Sequence, residues 1–267
     1  MGLLSSLAQR GYVPFAFGAS SNLDRLDPRP LGVPLRRLDA ADPANASFHR
    51  LLNKMNGLAY GGMGMPLWVQ FDCGVLPSAF IGWGRGARDL PERLRHGLGL
   101  VGDEPLVPVA EALSVPSATP GQWVSWSMCS VLPGSQLGFA SKLVSLAAYK
   151  AESTLGVAQY DNGSLRIHTR FGPLELVQPM ASGHTWPERT FVYRLDLRDP
   201  TWLKSLADGA TLPTDAPTML LDPDDVGKLR QIDARVRAGT HRYWLLPPGR
   251  VLEGDRWLNP ILEQQVG

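Results

Sequence analysis

The chain predicts an α/β fold, strands and helices packed around a shared core, and three stretches carry that reading. Residues 123–162 run as strand, glycine-bearing turn, helix and strand. An apolar run covers 124–132, the turn holds Pro133, Gly134 and Gly138, and Leu143, Val144, Leu146 and Ala147 share one face at helical spacing before a second run ends at Tyr160. Residues 47–58 form an amphipathic helix: Phe48, Leu51, Leu52, Met55 and Leu58 repeat with the same period behind Ser47, a capping residue type. Residues 190–197 alternate apolar and polar side chains, as a half-buried strand does.

With 267 residues, 44% hydrophobic and 19% charged, the chain can bury a sizeable core, and extensive disorder is not expected. The formal net charge is +1, so no basic surplus marks a nucleic-acid surface. Cys73 and Cys129 lie on different predicted strands without a CxxC, which excludes a disulfide framework or zinc knuckle and makes a reducing cytoplasm the expected location. The opening MGLLSSLAQRG lacks the charge and apolar length of a secretory signal; it fits the loose N-myristoylation pattern, which has meaning only in a eukaryotic host. No apolar run is long enough to cross a bilayer. The expected partner is a small-molecule substrate, with no nucleic acid and no membrane span.

In chain order, residues 1–30 are rich in glycine, proline and polar residues and read as an irregular arm or a first short strand over the core, not a stable helix. A strand ending near Leu38 precedes the turn at Asp42-Pro43, and Gly61 and Gly62 stop the helix that follows. Two short runs, 67–72 and 79–83, read as a hairpin. Residues 85–107 look like a surface insertion with a small helix over 90–98, and 109–115 is a strand. Residues 160–171 allow two readings: a short helix capped by Asp161 or Asn162 with a strand LELVQ behind it, or a hairpin turning at Asn162-Gly163. Beyond Asp199-Pro200 the texture changes to a short helix, a proline-bearing linker, a helix over 225–237 and the run HRYWLLPPGR. The expected organisation is one α/β domain over 1–199, arm included, and a C-terminal extension over 200–267 packed on it.

Chemistry concentrates at the turn of residues 134–140, because the first turn of a helix leaves backbone N–H groups free to hold an anion such as a pyrophosphate. One carboxylate stands within an apolar strand: Asp72, between Phe71 and Cys73, suits either a general base or a structural partner of an arginine or of turn amides. Cys129 is either a nucleophile or an inert packing residue.

The order strand, helix, hairpin, strand, turn, helix, strand, short helix and strand resembles that of the GNAT acyltransferase superfamily over residues 30–197. The opening PLRRLDAADPA looks like that family's first strand and turn, and Gly138-Phe139-Ala140 with Leu143 is similar to its glycine turn, although Gln136 stands only two residues before Gly138. Asn162 after LGVAQY is similar in place to the family's asparagine, while the position of its tyrosine acid holds Thr169. The resemblance implies a mixed, mostly antiparallel central sheet flanked by helices and an acyl-CoA cosubstrate such as acetyl-CoA. It implies that Gly134, Gln136, Gly138 and Ala140 hold the pyrophosphate, that the backbone of Ser130, Val131 and Leu132 pairs with the pantetheine arm, and that Asn162 stands beside the cofactor. Asp72 or Glu111 would then be the base, and Tyr160 or His168 the acid.

Two other readings stand beside it. Gly138-Phe139-Ala140-Ser141-Lys142-Leu143 is similar to the Gly-Phe-x-Lys-Lys segment of acetoacetate decarboxylases, which implies a β-barrel with strands over 143–178 and Lys142 as a Schiff-base nucleophile. LVSLAAYKAE, however, prefers helix. The third reading is a non-catalytic ligand-binding domain whose eight tryptophans line a pocket or fill the core.

Overall fold

A computed structural model of the chain describes residues 2–27, 29–62, 78–181, 189–199 and 201–267. The fold is mixed α/β, with mostly antiparallel strands packed against helices. The chain divides into two compact units, Met1–Ala151 with Ala207–Gly209, and Glu152–Leu206 with Ala210–Gly267.

The first unit contains α1 (Leu3–Gln9), β1 (Val13–Gly18), α2 (Ser20–Leu23), β2 (Arg36–Asp39), α3 (Ala46–Ala59), β3 (Phe80–Arg85), α4 (Glu92–Gly97), β4 (Val107–Pro116), β5 (Gln122–Ser130) and α5 (Leu137–Ala148). Its strands lie in the order β5-β4-β3-β1-β2, antiparallel except for the β1–β2 pair. Residues 1–30 are therefore not an arm. Leu4 and Leu7 anchor a helix that Gly11 ends in a left-handed turn, and Phe15, Ala16 and Phe17 are fully covered on a strand flanked on both sides. A short continuous apolar run between turn residues is a buried strand, and its neighbours conceal the pattern.

Two helices cover the sheet. Phe48 of α3 meets Phe15 edge-on, ring centres 4.9 Å apart, while Ser145 of α5 meets Ser114 of β4 at 3.3 Å. Ser114 and Glu111 are three residues apart on β4, so they face opposite sides, Ser114 towards α5 and Glu111 towards α3. Gly82 of β3 stands directly opposite Glu111, where a Cβ would lie 2.1 Å from the Ala110 carbonyl oxygen and 2.7 Å from Phe15 Cζ. The run at 79–83 lies in β3, paired with β1 and β4; the proposed partner at 67–72 lies outside the described residues.

The second unit contains β6 (Ser153–Gln159), α6 (Leu165–His168), β7 (Leu174–Gln178), β8 (Thr190–Asp196), α7 (Thr201–Ala207), β9 (Met219–Leu221), α8 (Val226–Arg237), β10 (His241–Leu245), β11 (Val251–Glu253) and β12 (Arg256–Gln265). The order is β11-β12-β10-β7-β8-β6, antiparallel throughout, with β9 on β12. Of the two readings of 160–171, the chain takes the helical one. Asn162 Oδ1 accepts from the Ser164 amide at 2.8 Å and turns the chain into α6, and β6 finds its partner in β8. Gly156 makes that pairing possible, because the Tyr193 ring occupies the space a Cβ would need, 2.3 Å away. Strands β9–β12 belong to this same unit, β10 lying against β7. Asp225 caps α8 by accepting from the Lys228 amide at 2.9 Å.

Because its immediate obstacles include backbone and a packed ring, Gly82→Ala should destabilise the protein by at least about 2 kcal/mol, as overpacking does. Urea denaturation monitored by tryptophan fluorescence checks this, with a lowered midpoint at unchanged slope as the expected result.

Candidate functional site

The most unusual place in the first unit is where β4 and β5 lose register. Leu113 stands opposite Ser127 and Ser114 opposite Ser125, so Trp126 is an extra residue in β5 with no partner across the ladder. Trp126 is half exposed, and Ser127, one residue on, turns towards Glu111. Most of β5 is only half buried, whereas nine of the ten β4 residues are buried.

Glu111 is completely covered, 0% exposed. Its Oε1 accepts from Ser127 Oγ at 2.7 Å and from Cys129 Sγ at 3.4 Å, while Oε2 is buried without a hydrogen-bond partner. Cys129 Sγ also lies 3.6 Å from Asn56 Oδ1 of α3. Tyr60, which caps the end of α3, places its hydroxyl 3.0 Å from Ser127 Oγ and donates to the Met128 carbonyl at 3.1 Å. Burial pushes the Glu111 carboxyl up to about 7, against the downward pull of Ser127 and Cys129. Burial, then the Glu111 charge, pushes the Tyr60 phenol up to about 12, and the same two causes in the same order raise the Cys129 thiol far above its ordinary value. A nucleophilic cysteine needs its thiolate, so Cys129 serves here as a donor to the carboxylate.

After β5 the chain enters the turn that opens α5. The Val131 amide donates to the Val109 carbonyl at 3.0 Å, Leu132 to Ser130 Oγ at 3.2 Å, Ser135 to the Leu132 carbonyl at 3.3 Å and Leu137 to Ser135 Oγ at 3.4 Å. Gly134 and Gln136 take positive φ, 73° and 65°, and Gln136 makes no side-chain cap bond. The helix closes its first turn with the Ala140 amide on the Gln136 carbonyl at 2.9 Å, and the Gly138 amide has no acceptor among the described residues. The helix thus begins where the glycine turn predicted, with some of the turn's amides already held by serine oxygens of the same turn. Within α5, Lys142 is 1% exposed, and burial lowers its ammonium to about 7.

Tyr160, Asn162 and His168 belong to the second unit. Tyr160 is buried and donates to the Pro179 carbonyl at 3.1 Å, burial and then the Asp233 charge raising its phenol. Asn162 is committed to the Ser164 amide, and His168 Nδ1 lies 3.0 Å from the buried Tyr193 hydroxyl. Asp72 lies outside the described residues. Among the described residues no cluster of His, Cys, Asp and Glu could hold a metal ion, and no helix is long and apolar enough to cross a membrane. No protein-family model matches the chain, and no curated protein is similar to it.

Only the resemblance pointed to Glu111, while Tyr60, Ser127 and Asn56 belonged to no motif. Asn56 carried a signal, being a polar residue four places after Leu52 on the apolar face of a helix. Ser127 carried none, since its direction depends on the bulge at Trp126.

The two buried charges give opposite pH dependences. Glu111 holds a proton more firmly folded than unfolded, so the stability it confers is complete below its ordinary value of 4.5 and is lost as pH rises through about 7. Lys142 is depressed, so its contribution is complete above its ordinary 10.5 and is lost as pH falls through about 7. Glu111→Gln should therefore stabilise relative to the wild type at pH 8, on the order of 1–3 kcal/mol, and the gain should vanish towards pH 4. Lys142→Met should stabilise most at and below neutrality and progressively less towards pH 10. Denaturation midpoints measured from pH 4 to 10 check both signs.

Proposed function

We propose that the protein is a cytoplasmic acyl-CoA-dependent acyltransferase that moves an acyl group from a CoA thioester, such as acetyl-CoA, to an amine. The observation that carries this reading is the start of helix α5 at Leu137, straight out of a glycine- and serine-bearing turn that ends a bulged, half-buried strand. Helix N-termini favour anions, and the exposed Gly134 and Gln136 turn in front of the buried Gly138 is what supports a pyrophosphate there. The observed order of helices and strands from β2 to β8 supports the resemblance to the GNAT superfamily.

The chemistry this site offers is proton transfer. A neutral amine attacks the thioester carbonyl carbon, the C–N bond forms as the C–S bond breaks, and the proton leaving nitrogen ends on the thiolate sulfur. Glu111, with its carboxyl near neutrality, can take that proton and give it back, since a base is most useful when its pKa lies near the working pH. The Schiff-base reading keeps a lysine depressed by burial, but it needs strands over 143–178, and residues 137–148 and 165–171 are helical. The non-catalytic reading differs in its outcome, binding without turnover.

Acetyl-CoA should raise the melting temperature, with a stabilisation of about 2.7 kcal/mol at roughly one hundred times its Kd. Ser135→Asp keeps an acceptor for the Leu137 amide, gives up the hydroxyl's donation to the Leu132 carbonyl and sets a negative charge at the helix start, so the variant should still fold and lose the acetyl-CoA shift. Differential scanning fluorimetry of both proteins decides the matter: an unshifted wild type, or a shift that survives in Ser135→Asp, sinks the pyrophosphate site.

A further inference from the structure

Glu111 has the chemistry of a general base and the location of a core residue. At 0% exposure neither carboxyl oxygen can touch a substrate, and among the described residues a hydrogen-bonded chain leads from Oε1 through two hydroxyls to a half-buried side chain. Ser127 Oγ donates to Glu111 Oε1 at 2.7 Å, and the Tyr60 hydroxyl lies 3.0 Å from Ser127 Oγ on a side chain that is half buried. We infer that Tyr60 and Ser127 form a two-hydroxyl relay that carries the acceptor's proton to Glu111, with Tyr60 as the group that touches the acceptor.

The relay balances. A proton passes from the acceptor nitrogen to the Tyr60 oxygen as the Tyr60 proton moves to Ser127 Oγ and the Ser127 proton moves to Glu111 Oε1, leaving two neutral hydroxyls and a carboxylic acid. No oxidant or metal is required. Once the single Tyr60 proton turns from the Met128 carbonyl to Ser127 Oγ, 3.0 Å away, each link has a donor and an acceptor with a free lone pair, because Ser127 keeps acceptor capacity while it donates to the carboxylate. The groups facing Glu111 are Ser127 and Cys129 from β5, with Asn56 of α3 and Tyr60 just past its end behind them; among the described residues no cation forms an ion pair with it. Its ionisation therefore answers to burial, Ser127 and Cys129. The bulge at Trp126 is what turns Ser127 inward, and so forms the link.

The inference rests on the acyl-transfer reading for the source of the proton, and its test separates the two. In the full-length protein, infrared difference spectra against pH follow the Glu111 carboxyl C=O band, identified by its loss in Glu111→Gln. The band should titrate with a midpoint near 7, move to higher pH in Ser127→Ala, which loses the donor to the carboxylate, and stay in place in Tyr60→Phe and Ser127→Thr. With acetyl-CoA and an amine acceptor, Tyr60→Phe and Ser127→Ala should lose roughly 100-fold in kcat with the acetyl-CoA KM unchanged, and Ser127→Thr should restore turnover. A Tyr60→Phe enzyme with wild-type kcat and pH profile overturns the relay, as does a carboxyl band that ignores Ser127→Ala. Absence of an acetyl-CoA melting shift overturns the acyl-transfer reading alone; the response of the band to Ser127→Ala then sustains or removes the hydroxyl connection to Glu111.

Discussion

The first unit is built around a carboxyl group that its sheet has no charge to balance. Glu111 stands in the middle of β4, between Ala110 and Ala112, with a glycine opposite on β3 and a cysteine opposite on β5. Burying an ionised carboxylate costs on the order of several kcal/mol even after the surroundings relax, unless a cation or several donors meet it. Here two donors reach one oxygen and none reaches the other. Protonation relieves the charge but leaves a different deficit, because a neutral acid must donate and nothing beside Oε2 accepts. Neither state is fully satisfied, and burial, opposed by Ser127 and Cys129, raises the carboxyl to about 7.

The neighbours of Glu111 make sense as consequences of that position. Gly82 offers no side chain where one would collide with the Ala110 carbonyl, and so lets β3 lie close against β4. The bulge at Trp126 shifts the register by one residue and turns Ser127 to the carboxylate. On the other face of the sheet α5 is buried on every residue, not on one stripe, and it is charged only at Lys142. Its small residues, Gly138, Ala140, Ser141, Ser145, Ala147 and Ala148, let it lie close to β3 and β4. Ser141 bonds back to the Leu137 carbonyl at 2.9 Å and Ser145 to Ser114, so the serine hydroxyls are satisfied without water. A helix covered on all sides is apolar all round, and its sequence showed only the larger residues as a face.

The long periodic elements were legible because their pattern is local. The helix expected over 47–58, the strands at 109–115 and 190–197, and the helix over 225–237 stand within two residues of where the spacing put them. In residues 1–30 the short strand was one of two expectations and the helix α1 was not expected: Gly11, Pro14 and Gly18 look like punctuation, while the Phe15-Ala16-Phe17 run gains its meaning only from β2 and β3 on either side. The choice at Asn162 was open for a related reason. Asn-Gly suits a hairpin, but β6 pairs with β8, more than thirty residues on, and no local signal contains that competition. Within the site, Glu111 was named only through the resemblance, whereas Ser127 and Tyr60 depend on strand register and on where a helix ends.

Depth and reach pull against each other at this site. A carboxyl at the surface would be accessible but would titrate near 4.5 and be a weak base; covering it raises its affinity for a proton and removes its contact with anything that could supply one. Hydroxyls resolve the conflict because they carry no charge to desolvate and can donate and accept at once. A lysine or histidine between Glu111 and the surface would form an ion pair and pull the carboxyl back down, undoing what burial achieves. The Ser127 hydroxyl and the Cys129 thiol leave the raised value largely intact, each removing only the modest amount one neutral hydrogen bond can. The absence of a cation around Glu111 among the described residues makes the fold more costly, and it is the condition under which burial can hold the carboxyl near 7.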